Sequence, residues 1–522
     1  MWKVTAFLAV IVTLYFRFHR TGTRYPPGPR GLPILGNVFQ LSTVKPWHIF
    51  TKWKKTYGPM VYLNVLGQPM IILNSKKIAE DLLERRAARY SWRPELVVLK
   101  EMTGEMGIAF IRDNSNERWR KMRRTSENAL GIRTASNYHR VQSVEGILLA
   151  YGILRQPQRW KSQIERASSS ISLSMIYDHP PIQSLEDPSV IFMNEVVEKM
   201  GNAALPGAHL VEIFPCLRHL PRFLSKWRRD AEKTYVKFNS KYEEMFLKVK
   251  NEFLNGQEQR HSFCLNLVEN QTNHKLSDSE LAWLAGILYG AGYETTGTTM
   301  MWFIFCMILF PRVQQRAQDE LDKVVGQSRL PLFSDLKHLP YIRAIVKEVL
   351  RWRPALPLSV PHVAAEDDYY NGYFIAKGTI MIPNVWSINR DTEVYGMDAE
   401  DFRPERHLNA DGDLVDENSE GHSTYGFGYR HCAGRHVANN SLFIQMATIL
   451  WAMRLEGVKG ENGNTVEPDL NAEDETGVFT RPPPFGIVAI PRFKDADALI
   501  QHSRDEVMEE FSARLDMTQK LL

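Results

Sequence analysis

Cysteine is scarce in this chain. Cys216, Cys264, Cys306 and Cys432 are the four in 522 residues, too few and too widely spaced for a disulfide framework, which fits a reducing compartment. A strong charge of one sign is also missing. The formal net charge is +4, too small to imply a nucleic-acid partner. There is no internal repeat, low-complexity tract or Ser/Gly linker within the body, so one large domain is expected, although the length alone would allow several. The rest of the composition, 44% hydrophobic and 24% charged, is that of an ordinary globular protein with ample core.

Long uncharged apolar runs are few. Residues 4–16 form one near the N-terminus, but as a helix it covers about 20 Å against a hydrocarbon core of about 30 Å. Trp2 and Phe18 extend it, and Lys3 and Arg17 can snorkel to the interfaces. No small-residue cleavage site follows, so residues 1–20 are expected to be a retained membrane anchor. Arg17, His19, Arg20, Arg24 and Arg30 lie on its C-terminal side and leave the body in the cytosol by the positive-inside rule. A basic, Pro-rich segment over residues 21–40, containing Tyr25-Pro26-Pro27-Gly28-Pro29, is expected to act as a semi-rigid hinge.

Cys432 stands in Tyr425-Gly426-Phe427-Gly428-Tyr429-Arg430-His431-Cys432-Ala433-Gly434. No second cysteine lies at zinc-ligand spacing from it. A lone thiolate in a tight turn is suited to axial ligation of haem iron. Gly426 and Gly428 tolerate positive φ and let the backbone curl round the sulfur. Arg430 is a candidate for a haem propionate, and Gly434 clears space for the flat macrocycle. The apolar stretch 437–453 reads as a helix whose N-terminal amides favour the anionic sulfur.

This loop resembles that of the cytochrome P-450 family: aromatic, Gly, any, Gly, any, Arg, any, Cys, any, Gly. The family usually has Phe at the first position, where Tyr425 stands here. The resemblance runs in order from about residue 25 to 495. Ala291-Gly292-Tyr293-Glu294-Thr295-Thr296, inside the apolar stretch 277–310, resembles the family's oxygen-activating helix. By that resemblance Thr295 holds iron-bound oxygen and a water, and Glu294 feeds protons. On the residues themselves, Thr295 can bond a carbonyl one turn back, and Gly292 is expected to loosen that turn. Glu348-Val349-Leu350-Arg351 and Phe402-Arg403-Pro404-Glu405-Arg406 resemble the family's buried network, which would join Glu348, Arg351 and Arg406 behind the cysteine loop. Trp119 and Arg123, one helical turn apart, and His362 after Pro361 match positions that contact haem propionates. Asn384-Val385-Trp386-Ser387-Ile388-Asn389-Arg390-Asp391 and Thr480-Arg481-Pro482-Pro483-Pro484-Phe485 are further landmarks.

The resemblance implies a mainly α, α+β fold, a large helical domain with a small β-sheet region enclosing haem b, over residues 41–495. It implies a monooxygenase that hydroxylates or epoxidises a hydrophobic small molecule with O2 and with NADPH electrons from a flavoprotein reductase. Arg120, Lys121 and Arg124 would offer that reductase a basic patch. By analogy the substrate pocket is lined by Ile108, Phe110, Ile287, Ala291, Leu356, Ser359, Val360 and Phe479. The style is fungal, which suggests a terpenoid or polyketide of secondary metabolism, and the expected location is the endoplasmic reticulum membrane. Two other readings stay open. One is a haem-thiolate isomerase or dehydratase without a redox partner, whose known examples lack the acid–hydroxyl pair kept here as Glu294-Thr295. The other is a non-catalytic haem sensor or binding protein.

Three smaller expectations complete the reading. The sequons at Asn270 and Asn439 stay unglycosylated if the body is cytosolic. Residues 210–227 are densely apolar and suggest a second membrane contact. Residues 503–522, within an extension expected from 496, form an amphipathic helix packing Val507, Phe511 and Leu515 on the body.

Overall fold

The computed structural model describes residues 24–520 apart from Thr43, Pro206, Glu258, Glu461, Asn462 and Gly477. The anchor expected over residues 1–20 lies outside the described residues. Helices dominate: α1 Pro46–Tyr57, α2 Glu117–Leu130, α3 His139–Arg155, α4 Trp160–Tyr177, α5 Pro188–Ala204, α6 Lys226–Leu254, α7 Asp278–Leu309, α8 Pro340–Trp352, α9 Arg435–Ala452 and α10 Ala496–Lys520, with a further helix at Pro311–Val324 and shorter segments between them. The strands are short: β1 Met60–Val65, β2 Gln68–Leu73, β3 His362–Val363, β4 Ile380–Pro383, β5 Met453–Gly457, β6 Asp474–Thr476, β7 Phe479–Arg481 and β8 Ile487–Pro491. This is the mainly helical, α+β architecture expected.

Local chemistry sets the element ends. Ser277 and Glu280 form a capping box that starts α7. The Asn116 side chain accepts from the Trp119 amide at 3.1 Å and opens α2. Leu66 and Gly67, both at positive φ, make the two-residue turn that pairs β1 with β2, Met60 opposite Leu73. The sheet continues β1-β2-β4-β3, with β2 and β4 parallel and β3 antiparallel to β4. Three antiparallel pairs stand apart from it: β5 with β8, β6 with β7, and Asp368–Tyr370 with Tyr373–Ile375.

The Pro-rich segment is not a free hinge from Arg24 onward. The Tyr62 amide donates to the Pro27 carbonyl at 3.0 Å and the Phe374 amide to that of Arg24 at 2.8 Å. A Cβ on Gly28 would sit 1.9 Å from the Tyr62 carbonyl oxygen, so only glycine lets this segment lie on β1.

The axis of the fold is α7. Leu281, Trp283 and Tyr289 from its first half join one apolar cluster with α4, α5 and α6. Met300, Trp302 and Phe305 from its second half join another with α3, α8 and α9. A helix apolar all round is one that is buried all round. Among the described residues no single helix is long and apolar enough to cross a membrane. At the C-terminus α10 starts at Ala496 rather than near 503. Val507 and Phe511 pack on Val144 and Leu148 of α3, Glu510 pairs with Arg140, and the Arg260 guanidinium lies 4.8 Å from the Phe511 ring centre.

Candidate active site

The cysteine loop is held from below by a buried carboxylate. Glu348 on α8 accepts from Arg351 at 2.7 Å on each oxygen, from Arg406 at 3.0 Å and from the Arg403 amide at 2.7 Å, and His407 Nε2 lies 3.0 Å away. Burial alone would raise this carboxyl, but the hydrogen bonds from Arg351 and His407 bring it down to about 2. Arg351 spends its other donors on the carbonyls of Asn389, Ala399 and Asp401. The Asn389 side chain in turn accepts from the Ser423 amide at 2.8 Å and donates to Thr424 Oγ1 at 3.0 Å. The network therefore reaches the first residues of the loop. His407 is a member that the sequence did not single out.

Within the loop Gly426 and Gly428 have φ of +80° and +54°, and a Cβ on Gly428 would come within 2.2 Å of the Leu83 carbonyl oxygen. The Cys432 amide donates to the Tyr425 carbonyl at 2.8 Å. Burial pushes the Cys432 thiol up, while the Gly434 amide and the Arg123 and Arg435 guanidiniums favour its thiolate. Among the described residues, a Cβ on Gly434 would meet no protein atom within 4 Å, which leaves room for a flat ligand two residues from Cys432.

Around that space the cations outnumber the acids. Arg93, buried, donates to the carbonyls of Val360 and Pro361 at 2.6 and 2.9 Å, and its Nε has no partner among the described residues. Burial, then Arg430 and Arg123, hold its guanidinium well below the usual range. Arg430 is pushed down to about 9 by burial and by Arg123. It stacks on Trp119 at 4.3 Å and donates to the carbonyls of Ser91 and Ile111. Burial, then Arg93, pushes the His362 imidazole well below its usual range, and its Nδ1 lies 2.7 Å from the Tyr90 carbonyl. Arg123 meets Glu127 on its own helix at 2.7 Å. A thiolate donor, room for a flat ligand near it, an orphaned guanidinium nitrogen and a surplus of buried cations fit a haem with two propionates.

Across the fold, α7 is buried from Leu281 to Ile308 except along one stretch near its middle. Ile287, Ala291 and Thr295, four residues apart, are partly or fully accessible there, together with half-buried Leu288, Gly290 and Gly292. Thr295 Oγ1 donates to the Ala291 carbonyl at 2.8 Å, the bond one turn back. Glu294 points elsewhere and is paired with Arg481 on β7. Gly292 does not loosen the helix, which runs unbroken through it. A Cβ there would lie 3.0 Å from Ser172 Oγ on α4, and one on Gly297 3.2 Å from Ser168 Oγ. These glycines let α4 and α7 pack closely. α9, which begins three residues after Cys432, packs on α7. Ile108, Phe110, Leu356, Ser359, Val360 and Phe479 are all half-buried. Arg430 lies 3.4 Å from the Ile108 carbonyl, Ser359 Oγ borders Gly426, and the Val360 carbonyl holds Arg93.

A family model for cytochrome P-450 matches residues 26–487. The chain belongs to the cytochrome P-450 family. A cytochrome P-450 monooxygenase of Armillaria gallica is 46% identical to it over 97% of each chain. A second from that fungus is 45% identical over 97% of this chain and 98% of the other. Cytochrome P-450 monooxygenase 58 of Postia placenta is 42% identical over 91% of this chain and 90% of its own. The family implies haem and dioxygen, so this cytochrome P-450 is an oxidoreductase of the haem-thiolate monooxygenase type. Sequence reading passed over three groups that the geometry brings forward: Arg93, Arg481 and His407. Arg93 lies in Trp92-Arg93-Pro94 and Arg481 within a quoted landmark, but neither position tells that its guanidinium turns inward.

Proposed function

We propose that this cytochrome P-450 hydroxylates or epoxidises a hydrophobic small molecule, taking electrons from NADPH through a flavoprotein reductase. The observation that carries the reading is the accessible Ile287-Ala291-Thr295 stripe on a buried helix that packs against the helix of the Cys432 loop. Haem b, once bound through Cys432, supplies the activation of dioxygen. Trp119, Arg123, His362 and Arg430, with Arg93, hold its propionates, and Gly434 leaves it room. Glu348, Arg351 and Arg406 keep the loop in place and take no part in the chemistry.

Thr295 presents its hydroxyl at the accessible face and orients a water there; Glu294, paired with Arg481, passes protons towards it on releasing that arginine. Ile108, Phe110, Ile287, Ala291, Leu356, Ser359, Val360 and Phe479 bind the substrate by apolar contact and exclude bulk water. An apolar lining and fungal relatives support a terpenoid or polyketide of secondary metabolism. For the reductase, exposed Arg120 and Arg124 support a docking face beside a cavity of about 350 Å³ lined by Trp119, Arg120, Arg123 and Tyr429. Attachment to the endoplasmic reticulum membrane, with the catalytic domain in the cytosol, is supported by the run at residues 4–16 and by exposed Leu210, Phe214, Phe223 and Leu224.

The test uses the purified holoenzyme. With reductase and NADPH it should turn over a hydrophobic substrate with one atom of labelled O2 in the product. Its reduced carbon monoxide complex should show a thiolate-type band that Cys432→Ser abolishes. Product without label points to an isomerase, and a band unchanged in Cys432→Ser overturns the assignment of the ligand.

A further inference from the structure

Tyr425 is where the cysteine loop departs from the family's usual Phe. Its ring packs at the edge of the apolar cluster shared by α8 and α9. The added hydroxyl needs a partner in that setting, because a buried hydroxyl without one is destabilising. It has one: it donates to Asn439 Oδ1 on α9 at 2.6 Å. With its oxygen engaged, Asn439 turns its amide nitrogen to Glu420 Oε2 at 3.0 Å. The other oxygen of Glu420 faces Arg435 Nε at 3.8 Å. Arg435 Nη1 donates to the Cys432 carbonyl at 3.1 Å, and the Cys432 amide donates to the Tyr425 carbonyl at 2.8 Å. The chain of contacts closes on itself: Tyr425, Asn439, Glu420, Arg435, Cys432.

The ring has a direction. Tyr425 donates into Asn439 and Asn439 into Glu420, while Arg435 approaches Glu420 from the other side, so both arms end on one carboxylate. Glu420 is thereby fixed beside the cysteine loop instead of swinging into the cavity of about 520 Å³ that it lines with Asn439, Lys347 and His436. A fixed negative charge near a centre that gains an electron disfavours the reduced state, and it does so more strongly away from bulk water.

We propose that Tyr425 and Asn439 are positioning residues that hold the Glu420 carboxylate beside the Cys432 loop and thereby lower the reduction potential of the bound haem. The proposal rests on the haem-thiolate reading above. A phenylalanine at position 425 cannot supply the first link, so the ring is a property of this chain's own residues.

The experiment is a spectroelectrochemical titration of the holoenzyme for the parent, Glu420→Gln, Tyr425→Phe, Asn439→Leu and the Tyr425→Phe/Glu420→Gln pair. Tyr425→Phe restores the family's usual residue, so its folding is not at issue. Glu420→Gln should shift the potential in the positive direction, and Tyr425→Phe and Asn439→Leu should shift it the same way by less. The double variant should shift no further than Glu420→Gln alone, because the hydroxyl acts only through the carboxylate. Potentials of Tyr425→Phe and Asn439→Leu equal to the parent's, or shifts that add in full in the double variant, overturn the proposal. The parent's reduced carbon monoxide band separates the two readings. A missing thiolate band removes the haem-thiolate assignment, whereas a normal band with unmoved potentials removes the ring alone.

Discussion

The two sides of the proposed haem site are built on opposite plans. Behind the sulfur, polar groups are tied to neighbours: Glu348 has four partners, Arg351 reaches three carbonyls, and the loop hangs from Asn389 and Thr424. On the α7 side, Ala291 and Thr295 are accessible, and among the described residues the Thr295 hydroxyl has only the Ala291 carbonyl. The first plan fixes a ligand whose distance and charge must not vary. The second, on the proposed reading, keeps a lightly held hydroxyl for a changing set of small partners. Stability should therefore reside on the thiolate side and chemistry on the α7 side, and substitutions can set the two against each other.

Glu348→Ala should have the largest effect. It strands buried Arg351 and should cost about 3–5 kcal/mol, read as a lower melting temperature and loss of haem on purification. A variant that keeps both would show that the thiolate side is not the frame. The same group sets an acid dependence. Its carboxyl lies at about 2 in the fold against an ordinary 4.5. A depressed carboxyl stabilises fully above its unfolded value, and that contribution is lost as pH falls from 4.5 towards 2. His407, pushed below 6.5 by burial, acts in the same direction as it is forced to take a proton. Urea midpoints should fall more steeply with acid in the parent than in Glu348→Gln.

Gly292→Ala should come next, at about 1–3 kcal/mol from crowding between α4 and α7. Ser172→Ala in the same chain should recover part of that loss, whereas full additivity would mean the two do not touch. Thr295→Ala should be smallest in stability, within about 0.5 kcal/mol, yet it should divert electrons to peroxide and lower product per NADPH. Full coupling in Thr295→Ala would erase the contrast between the two sides.

Much of the site was legible because its residues sit at fixed spacings along single elements. The glycines of the cysteine loop, the Glu348–Arg351 pair one turn apart and the Ala291–Thr295 face are local patterns, and local patterns survive in a sequence. What was not legible depends on partners remote in the chain. Gly292 reads as a weak point until Ser172 is seen against it. Glu294 reads as an isolated acid until Arg481 arrives from β7. The carbonyls that take up Arg351 leave no trace in side-chain patterning, since every residue has one. Arg93 was overlooked for the same reason: its surroundings come from Val360, Pro361, Arg430 and Arg123, none of them near it in order.

The C-terminal helix has a practical corollary. A protein shortened upstream of Val507 would uncover Val144 and Leu148 and present fresh oily surface to other molecules, so such a truncate should self-associate on concentration.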